Sequence, residues 1–367
     1  MNHKEILKRA WQILWNYKAL WVFGFILAVT TASGSGTRIA NGGGNNQPSN
    51  QSPPAFGGDS FQKGWDEVEQ GFDLFFREGI RTEIVNTIFT IAIVISCVVL
   101  LMIIIATIFR YVSETALIQM VDRYEDSGEQ LMVRQGFQLG FSRTAAKVFL
   151  VDLIVNLPLF LLIIFMLIMF LAPLLLLLTA SKAAGVLGVV VSIGLFFSGV
   201  FLAIGLAIAV SLLKHFFRRA VAVDGLGVFE ALSHGFQLVR QNFTDVILMW
   251  LITLGLNLGF TILLIPVGFL TLLAAAILAG GVGLTVGGLT SLLTSGEMLP
   301  IIVGLTTGVP LFILLMVIPL GFLDGLRETY MSSTWTLTYR EARALVNLDS
   351  EFDEENPIPE LDSPFEE

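Results

Sequence analysis

The stretch that decides the fold covers residues 221–252 and reads VAVDGLGVFEALSHGFQLVRQNFTDVILMWLI. It begins with an Asp224-Gly225 turn, continues through an amphipathic segment and becomes an unbroken apolar run after Asn242 and Asp245. An amphipathic helix followed by a long apolar run is typical of a chain that lies on a membrane surface and then enters the membrane. The stretch therefore predicts a boundary between water and bilayer.

The composition of the whole chain agrees with a membrane protein. Hydrophobic residues make up 54% of the 367 residues and charged residues only 14%, whereas a soluble domain is about 25% charged. The single cysteine, Cys97, permits no internal disulfide. We therefore expect an all-α, polytopic membrane helix bundle.

Six apolar blocks predict about six transmembrane helices. They are residues 19–29 with part of the preceding segment, 84–109, 148–178, 183–213, 246–279 and 299–323. With the N-terminus inside, 16 Lys and Arg fall on the inner side and 5 on the outer side, as the positive-inside bias requires. The prediction is a protein of the cell membrane with both termini in the cytoplasm. A cleaved signal peptide that ends near Ala32 is an alternative for the first block.

Two features complicate the count of spans. Pro158, Pro173 and Pro266 predict kinks or short outer helices within long apolar blocks. The glycine-rich residues 280–288 predict an outer loop, and an eight-span alternative has residues 266–295 re-enter the membrane.

The segments outside the bilayer have distinct compositions. Within a membrane domain of residues 1–345, residues 33–60 form a low-complexity outer loop predicted to be disordered, and residues 61–81 an outer amphipathic helix. Residues 346–367 carry nine acids and no Lys or Arg, which accounts for the net charge of −9. This tail is expected to be a disordered cytoplasmic segment that either stays solvated or docks a protein partner.

A short motif recurs next to the inner ends of the predicted spans. Each copy has an aromatic, a polar and an aliphatic residue on an amphipathic segment; the copies are Ala10-Trp11-Gln12-Ile13, Gly136-Phe137-Gln138-Leu139, Gly235-Phe236-Gln237-Leu238 and Thr334-Trp335-Thr336-Leu337. They predict three hairpin repeats related in parallel, with interfacial amphipathic helices and a fourth such helix at the C-terminus. Chance similarity between apolar sequences is the alternative. Gly255-xxx-Gly259 and Gly304-xxx-Gly308 predict close helix packing.

The best-preserved copy resembles a known bacterial group. Its acidic turn is followed by the sequence of residues 229–233 (FEALS), by Phe236-Gln237-Leu238 and by Asn242-Phe243 before a span. This order is similar to that of six-helix integral membrane proteins, among them the membrane domain attached to some glycerophosphoryl diester phosphodiesterases. The resemblance covers most of residues 1–345 and implies a bacterial six-helix domain without an assigned activity. The segments between spans are too short to build a phosphodiesterase barrel, so that activity is not implied.

Three polar residues inside the apolar blocks are candidates for an intramembrane site. Asp152 is the only acid well inside such a block, and Asn156 lies one turn further on the same helix face. Asn257 occupies a position similar to that of Asn156 in the repeat. An intramembrane ionisable residue is a functional candidate. Alternatively, Asp152 lies near the inner headgroups, and the two asparagines form hydrogen bonds between helices.

Basic residues at the inner ends are candidates for contacts with anionic lipids; they are Lys147, Lys214, Arg218 and Arg219. The sequence contains no catalytic, metal-ligating or cofactor-binding motif, and no nucleic-acid partner is expected. We therefore predict a non-enzymatic scaffold, assembly or lipid-interacting module with membrane lipids as partners. A transporter or permease for a small or lipidic substrate is the alternative, and an intramembrane hydrolase ranks third.

Overall fold

The fold is that of a computed structural model, which describes residues 1–34, 82–178, 182–294 and 298–355. These residues are helical and contain no strand. The elements are α1 (His3–Asn16), α2 (Ala19–Gly34), α3 (Thr82–Ser127), α4 (Val133–Gly140), α5 (Arg143–Leu171) with a 3-10 segment (Ala172–Leu178), α6 (Lys182–Ala222), α7 (Val228–Gln241), α8 (Phe243–Leu293) and α9 (Met298–Glu355).

Five of these helices are long and apolar enough to cross a membrane. The candidate spans are Phe89–Ser127, Arg143–Leu176, Gly185–Ala222, Phe243–Leu293 and Met298–Leu348. Helices α1 and α2 meet at a bend of 100°, and the total is six if this pair forms one span. The expected helical, multi-pass character is therefore confirmed, whereas the three-hairpin repeat stays a prediction.

Most of these helices are longer than a bilayer requires. Helix α8 has 51 residues and is about 76 Å long, because an α-helix rises 1.5 Å per residue. A hydrocarbon core is about 30 Å thick. A large part of each long helix must therefore lie outside the hydrocarbon.

The chain divides into two compact units, and the boundary falls within α3. One unit is Ala32–Ile108, in which the described side chains of residues 89–108 are mostly exposed and apolar. The other is Met1–Thr31 together with Phe109–Glu367. Most of its buried apolar residues belong to α1, α2, α7 and the inner ends of the long helices.

Two apolar clusters form this core. The first is centred on Tyr17, Phe23 and Met120 and joins α1, α2 and α3. The second is centred on Phe216 and Tyr339 and joins α6, α7 and α9. The apolar stretches that follow along the long helices are largely exposed, as lipid-facing surface would be. Both clusters belong to the ends where the sequence predicted the cytoplasmic side.

The first position of the recurring motif is a close-packing position. Ala10 and Thr334 are fully buried, and a Cβ atom on Gly136 would lie 2.5 Å from the sulfur of Met120. A Cβ on Gly235 would lie 2.6 Å from the ring of Phe217. A small residue at this position therefore lets a short helix lie directly on the core.

The copies of the motif differ in how exposed their aromatic residue is. Trp11 is 54% exposed and Phe236 is 53% exposed, as an interfacial helix requires. Trp335, in contrast, is only 4% exposed. The prediction of a fourth amphipathic helix is wrong, because Trp335 belongs to the continuous helix α9, whose Ser333–Tyr339 segment is buried.

The predicted glycine-rich outer loop is wrong, and so is the re-entrant alternative for residues 266–295. Helix α8 continues through these residues to Leu293. Gly283 and Gly287 face Gly304 and the backbone around Pro300 on α9. Glycines in a membrane helix permit such close approach, and the helix keeps its backbone hydrogen bonds in lipid.

The other predictions for glycines and prolines are only partly confirmed. Gly304 and Gly308 do contact α8, but a Cβ on Gly255 or Gly259 would meet nothing within 4 Å. Pro158 and Pro266 lie inside α5 and α8 without ending them. The proline at position 173 falls in the 3-10 segment, which matches the predicted short outer element.

The segments predicted outside the bilayer are described only in part. The tail expected to begin at residue 346 instead continues α9 as far as Glu355. Residues 356–367, the predicted outer helix 61–81 and most of the predicted loop 33–60 lie outside the described residues.

The contact between α2 and α9 depends on a glycine pair. A Cβ on Gly24 would overlap the carbonyl oxygen of Gly325, whereas one on Gly255 would meet nothing within 4 Å. We expect Gly24→Ala to lower the free energy of unfolding by about 1–3 kcal/mol, since overpacking forces the backbones apart. Thermal unfolding in detergent measures it, with Gly255→Ala as the matched control. Equal stability of the two variants would contradict the predicted close contact.

Candidate functional site

An ion-pair cluster joins the inner ends of α3, α5 and α6. The Arg218 guanidinium donates from Nε to Asp152 Oδ1 at 2.8 Å, and its two terminal nitrogens bind Asp152 and Glu114. The hydroxyl of Tyr111 donates to Asp152 Oδ2 at 3.0 Å. Asp152 is 3% exposed, so its carboxylate is buried and held by charged and neutral donors together.

A second polar pair between α5 and α6 lies one helical turn from the Asp152–Arg218 pair. Asn156 follows Asp152 by four residues on α5, and Lys214 precedes Arg218 by four residues on α6. Lys214 Nζ donates to Asn156 Oδ1. Because residues four apart share a helix face, the two helices present a ladder of two polar pairs. The prediction that Asp152 and Asn156 share one face is confirmed.

Asn257 does not belong to this ladder. It lies on α8, and its side-chain nitrogen is 3.9 Å from the sulfur of Met331 on α9. The structure therefore separates the predicted trio into a pair on α5 and a single residue on α8. Asn257 instead lines a cavity together with Arg218, the partner of Asp152.

Arg218 and Arg219 are largely engaged by protein partners, and their predicted lipid-headgroup contacts stay predictions. Arg219 is 3% exposed and donates to the carbonyl oxygens of His215 at 2.8 Å and Ser332 at 3.0 Å. Its Nε donates to the Thr336 hydroxyl at 3.3 Å. The two adjacent arginines therefore bind opposite neighbours, Arg218 towards α3 and α5 and Arg219 towards α9.

The two predicted lysine contacts have protein partners. Lys147 Nζ donates to the carbonyl oxygens of Gly225 at 3.1 Å and Leu226 at 3.3 Å. These residues form the turn between α6 and α7, where Gly225 has a φ of +70° that favours glycine. Lys214 binds Asn156. A lipid contact for either lysine stays a prediction.

A second ionic cluster connects α9 to the C-terminal end of α3 and to the turn after α6. Arg340 binds Asp122 at the end of α3, and Arg343 binds Asp224 after α6. Sequence analysis did not predict these pairs, because the arginines lie more than 100 residues further along the chain than the aspartates.

A polar cavity of about 200 Å³ lies between α2, α3, α6, α8 and α9. Its lining residues are Leu27, Thr31, Arg110, Glu114, His215, Arg218, Arg219, Asn257, Glu328, Met331, Ser332 and Trp335. The imidazole of His215 stacks on Trp335, with ring centroids 4.4 Å apart. Sequence analysis missed Arg110, Glu114 and Glu328, although each is a charged residue close to the end of an apolar run.

The chemistry that this cavity offers is recognition of charge. Within the described part of the chain, no group of three or more His, Cys, Asp or Glu side chains is placed to hold a metal ion. Glu114 and Glu328 are engaged by Arg218 and Arg327. The cavity therefore presents guanidinium groups and one amide, which bind oxyanions and hydrogen-bonding groups.

The comparison with known proteins assigns a family and no activity. Residues 7–337 match a family of unknown function (DUF7544). No curated protein and no solved structure matches the chain. The family carries no link to the glycerophosphoryl diester phosphodiesterase membrane domains, so that resemblance stays a prediction.

The two polar pairs between α5 and α6 are expected to contribute unequally to the stability of the protein. Removing Arg218 leaves the carboxylates of Asp152 and Glu114 buried without a counter-charge, and we expect Arg218→Gln to cost about 3–5 kcal/mol in free energy of unfolding. Lys214→Gln, one turn away, removes a hydrogen bond to a neutral amide and is expected to cost about 1 kcal/mol. Chemical denaturation in detergent measures both, and equal losses would contradict the assigned role of Arg218.

Proposed function

Since the chain belongs to a family of unknown function (DUF7544), we propose its role from the geometry: a non-enzymatic, lipid-interacting scaffold at the cytoplasmic side of the cell membrane. The observation that carries this proposal is the concentration of charge at one end of the long helices. Residues 153–181, 183–213, 246–296 and 298–323 contain no Asp, Glu, Lys, Arg or His. Among the described residues that flank these stretches, Asp152, Asp245 and Asp324 form ion pairs at the inner ends.

The surface of α1 supports a lipid-interacting role. Lys4 and Lys8 on α1 and Lys18 in the bend before α2 are exposed together with Trp11 and Trp15. A helix with basic residues and exposed tryptophans suits the region between headgroups and acyl chains. The bend of 100° to α2 allows α1 to follow the membrane surface while α2 enters the membrane.

Helix α7 adds a second surface of this kind. Phe229 and Phe236 on α7 and Phe243 at the start of α8 are all more than half exposed, and the basic residue Arg240 is also exposed. Its buried side, formed by residues such as Ala231 and Leu238, packs on the second core cluster. Two short helices therefore expose aromatic side chains while their other faces are anchored in the protein.

Ion pairs and arginine hydrogen bonds between elements support the scaffold part of the proposal. Arg218 connects α6 to α3 and α5, Arg219 connects α6 to α9, and Arg340 connects α9 to α3. A buried charge that loses its partner is costly, so these contacts favour one fixed arrangement of the inner ends. Such a surface suits binding of lipids or of a partner, and a docking role of the acidic tail stays a prediction.

A transporter is the second candidate, and the polar cavity beside the Asp152–Arg218 pair favours it. Substrate sites of transporters are formed between helices near polar groups. The cavity is bordered by five helices, and relative movement of these helices would change access to it.

Lipid preference tests the leading proposal. We expect the wild-type protein to retain anionic phospholipid over phosphatidylcholine during purification, and Lys4→Gln/Lys8→Gln/Lys18→Gln to lose most of that preference, because each lysine contributes about 1 kcal/mol near an anionic surface. Quantitative mass spectrometry of bound lipids measures it. Lys147→Gln is the control, since its ammonium binds backbone carbonyls. A wild type without lipid preference would contradict the proposal.

Flux measurements distinguish the two candidates. We expect liposomes that contain the protein to show no more potassium or phosphate flux than protein-free liposomes, because the apolar stretches carry no ionisable residue. Robust flux that falls in Asp152→Asn and is unchanged in the exposed-residue control Arg123→Gln would establish transport in place of the scaffold.

A further inference from the structure

The polar cavity contains a basic side chain without a protein partner. Arg110 lies on α3 at the end of an apolar run and lines the cavity. Its Nε is buried and has no hydrogen-bond partner among the described residues. The guanidinium carbon lies 5.8 Å from the centroid of the Tyr111 ring. The side chain is half-buried, and leaving its buried Nε–H without an acceptor is costly, so an anion in the cavity would supply the acceptor that the described residues do not.

The other charges around the cavity are already engaged. Arg218 is shared between Asp152 and Glu114, and Glu328 is bound by Arg327, which also binds Asp324. Arg219 binds neutral oxygens. The carboxylates nearby are therefore held by other arginines, and none of them forms an ion pair with Arg110.

Arg110 and Glu114 lie on the same face of α3, and both side chains line the polar cavity. Glu114 follows four residues later and also lines the cavity, as residues on one helix face do. Asn257 contributes an amide to the cavity from α8, and its side-chain nitrogen lies 3.9 Å from the sulfur of Met331. A guanidinium and an amide therefore converge on one cavity from two helices.

We propose that this cavity is a binding site for a singly charged phosphate group, held by Arg110 and hydrogen-bonded by Asn257. The guanidinium group suits a phosphate because its fork of N–H donors matches two phosphate oxygens. The volume of about 200 Å³ accommodates a phosphate with a small substituent. Glu114 and Glu328 in the lining disfavour a group of higher negative charge and offer acceptors to a hydroxyl or amine on that substituent.

The phosphate has two possible sources, a lipid headgroup and free phosphate. Both present the same oxygens to Arg110. The site is separate from the exposed lysines of α1, which are intact in every variant of the test below. A failure of the cavity site therefore leaves the proposed lipid preference of α1 untouched, and the reverse also holds.

The test uses the full-length protein, purified and delipidated in a neutral detergent. Thermal unfolding is followed during titration with inorganic phosphate and, separately, with a short-chain phosphatidylglycerol, each against sodium chloride at equal ionic strength. The variants are Arg110→Gln, Asn257→Leu and the control Arg123→Gln, which changes an exposed arginine on the same helix.

We expect at least one of the two probes to stabilise the wild type, with an apparent Kd about tenfold weaker in Arg110→Gln and several-fold weaker in Asn257→Leu. Arg123→Gln should match the wild type. Stabilisation by phosphatidylglycerol alone assigns the site to a lipid headgroup, and stabilisation by inorganic phosphate assigns it to a free phosphate group.

The proposal is overturned if neither probe stabilises the wild type beyond the chloride control. It is also overturned if Arg110→Gln and Asn257→Leu respond to the probes as Arg123→Gln does. If Arg110→Gln fails to fold, Asn257→Leu decides, because its amide makes no contact that the fold depends on.

Discussion

The bridge formed by Arg218 is the interaction on which the inner ends of the helices depend. One guanidinium neutralises two buried carboxylates, Asp152 on α5 and Glu114 on α3. Without it, two like charges would lie close together in a region of low dielectric, and among the described residues neither carboxylate forms an ion pair with another basic side chain. Because these three residues come from α3, α5 and α6, the need to keep the charges paired restricts how the three helices can be arranged.

The spans were predictable because membrane entry depends on local composition. Apolar runs of sufficient length predict helices wherever they occur, and all but the first block correspond to a helix that is long enough by itself. The partners of charged residues were not predictable in the same way. The headgroup role given to Arg218 and Arg219 was a reasonable inference for basic residues at a membrane exit, but their carboxylate and carbonyl partners come from helices distant in sequence.

The sequence could not distinguish glycines that form a loop from glycines that allow two helices to pack closely. The run at residues 280–288 looked like a loop, yet it belongs to α8 and permits close packing against α9. The pair Gly255 and Gly259 has the spacing of a packing motif and contacts nothing. Spacing along one helix cannot reveal which face meets a neighbour, and only the position of the second helix decides it.

The inner ends and the apolar stretches are held together by different forces. In the apolar stretches, lipid competes equally well for every leucine, so α8 and α9 associate through the close approach of their glycines. At the inner ends, water makes burial of apolar surface favourable, and ion pairs select one arrangement of the helices. The cavity has both kinds of lining, because the apolar residues Leu27 and Met331 lie there together with the charged residues Arg110 and Glu328. A group that is charged at one end and apolar at the other would find both environments there.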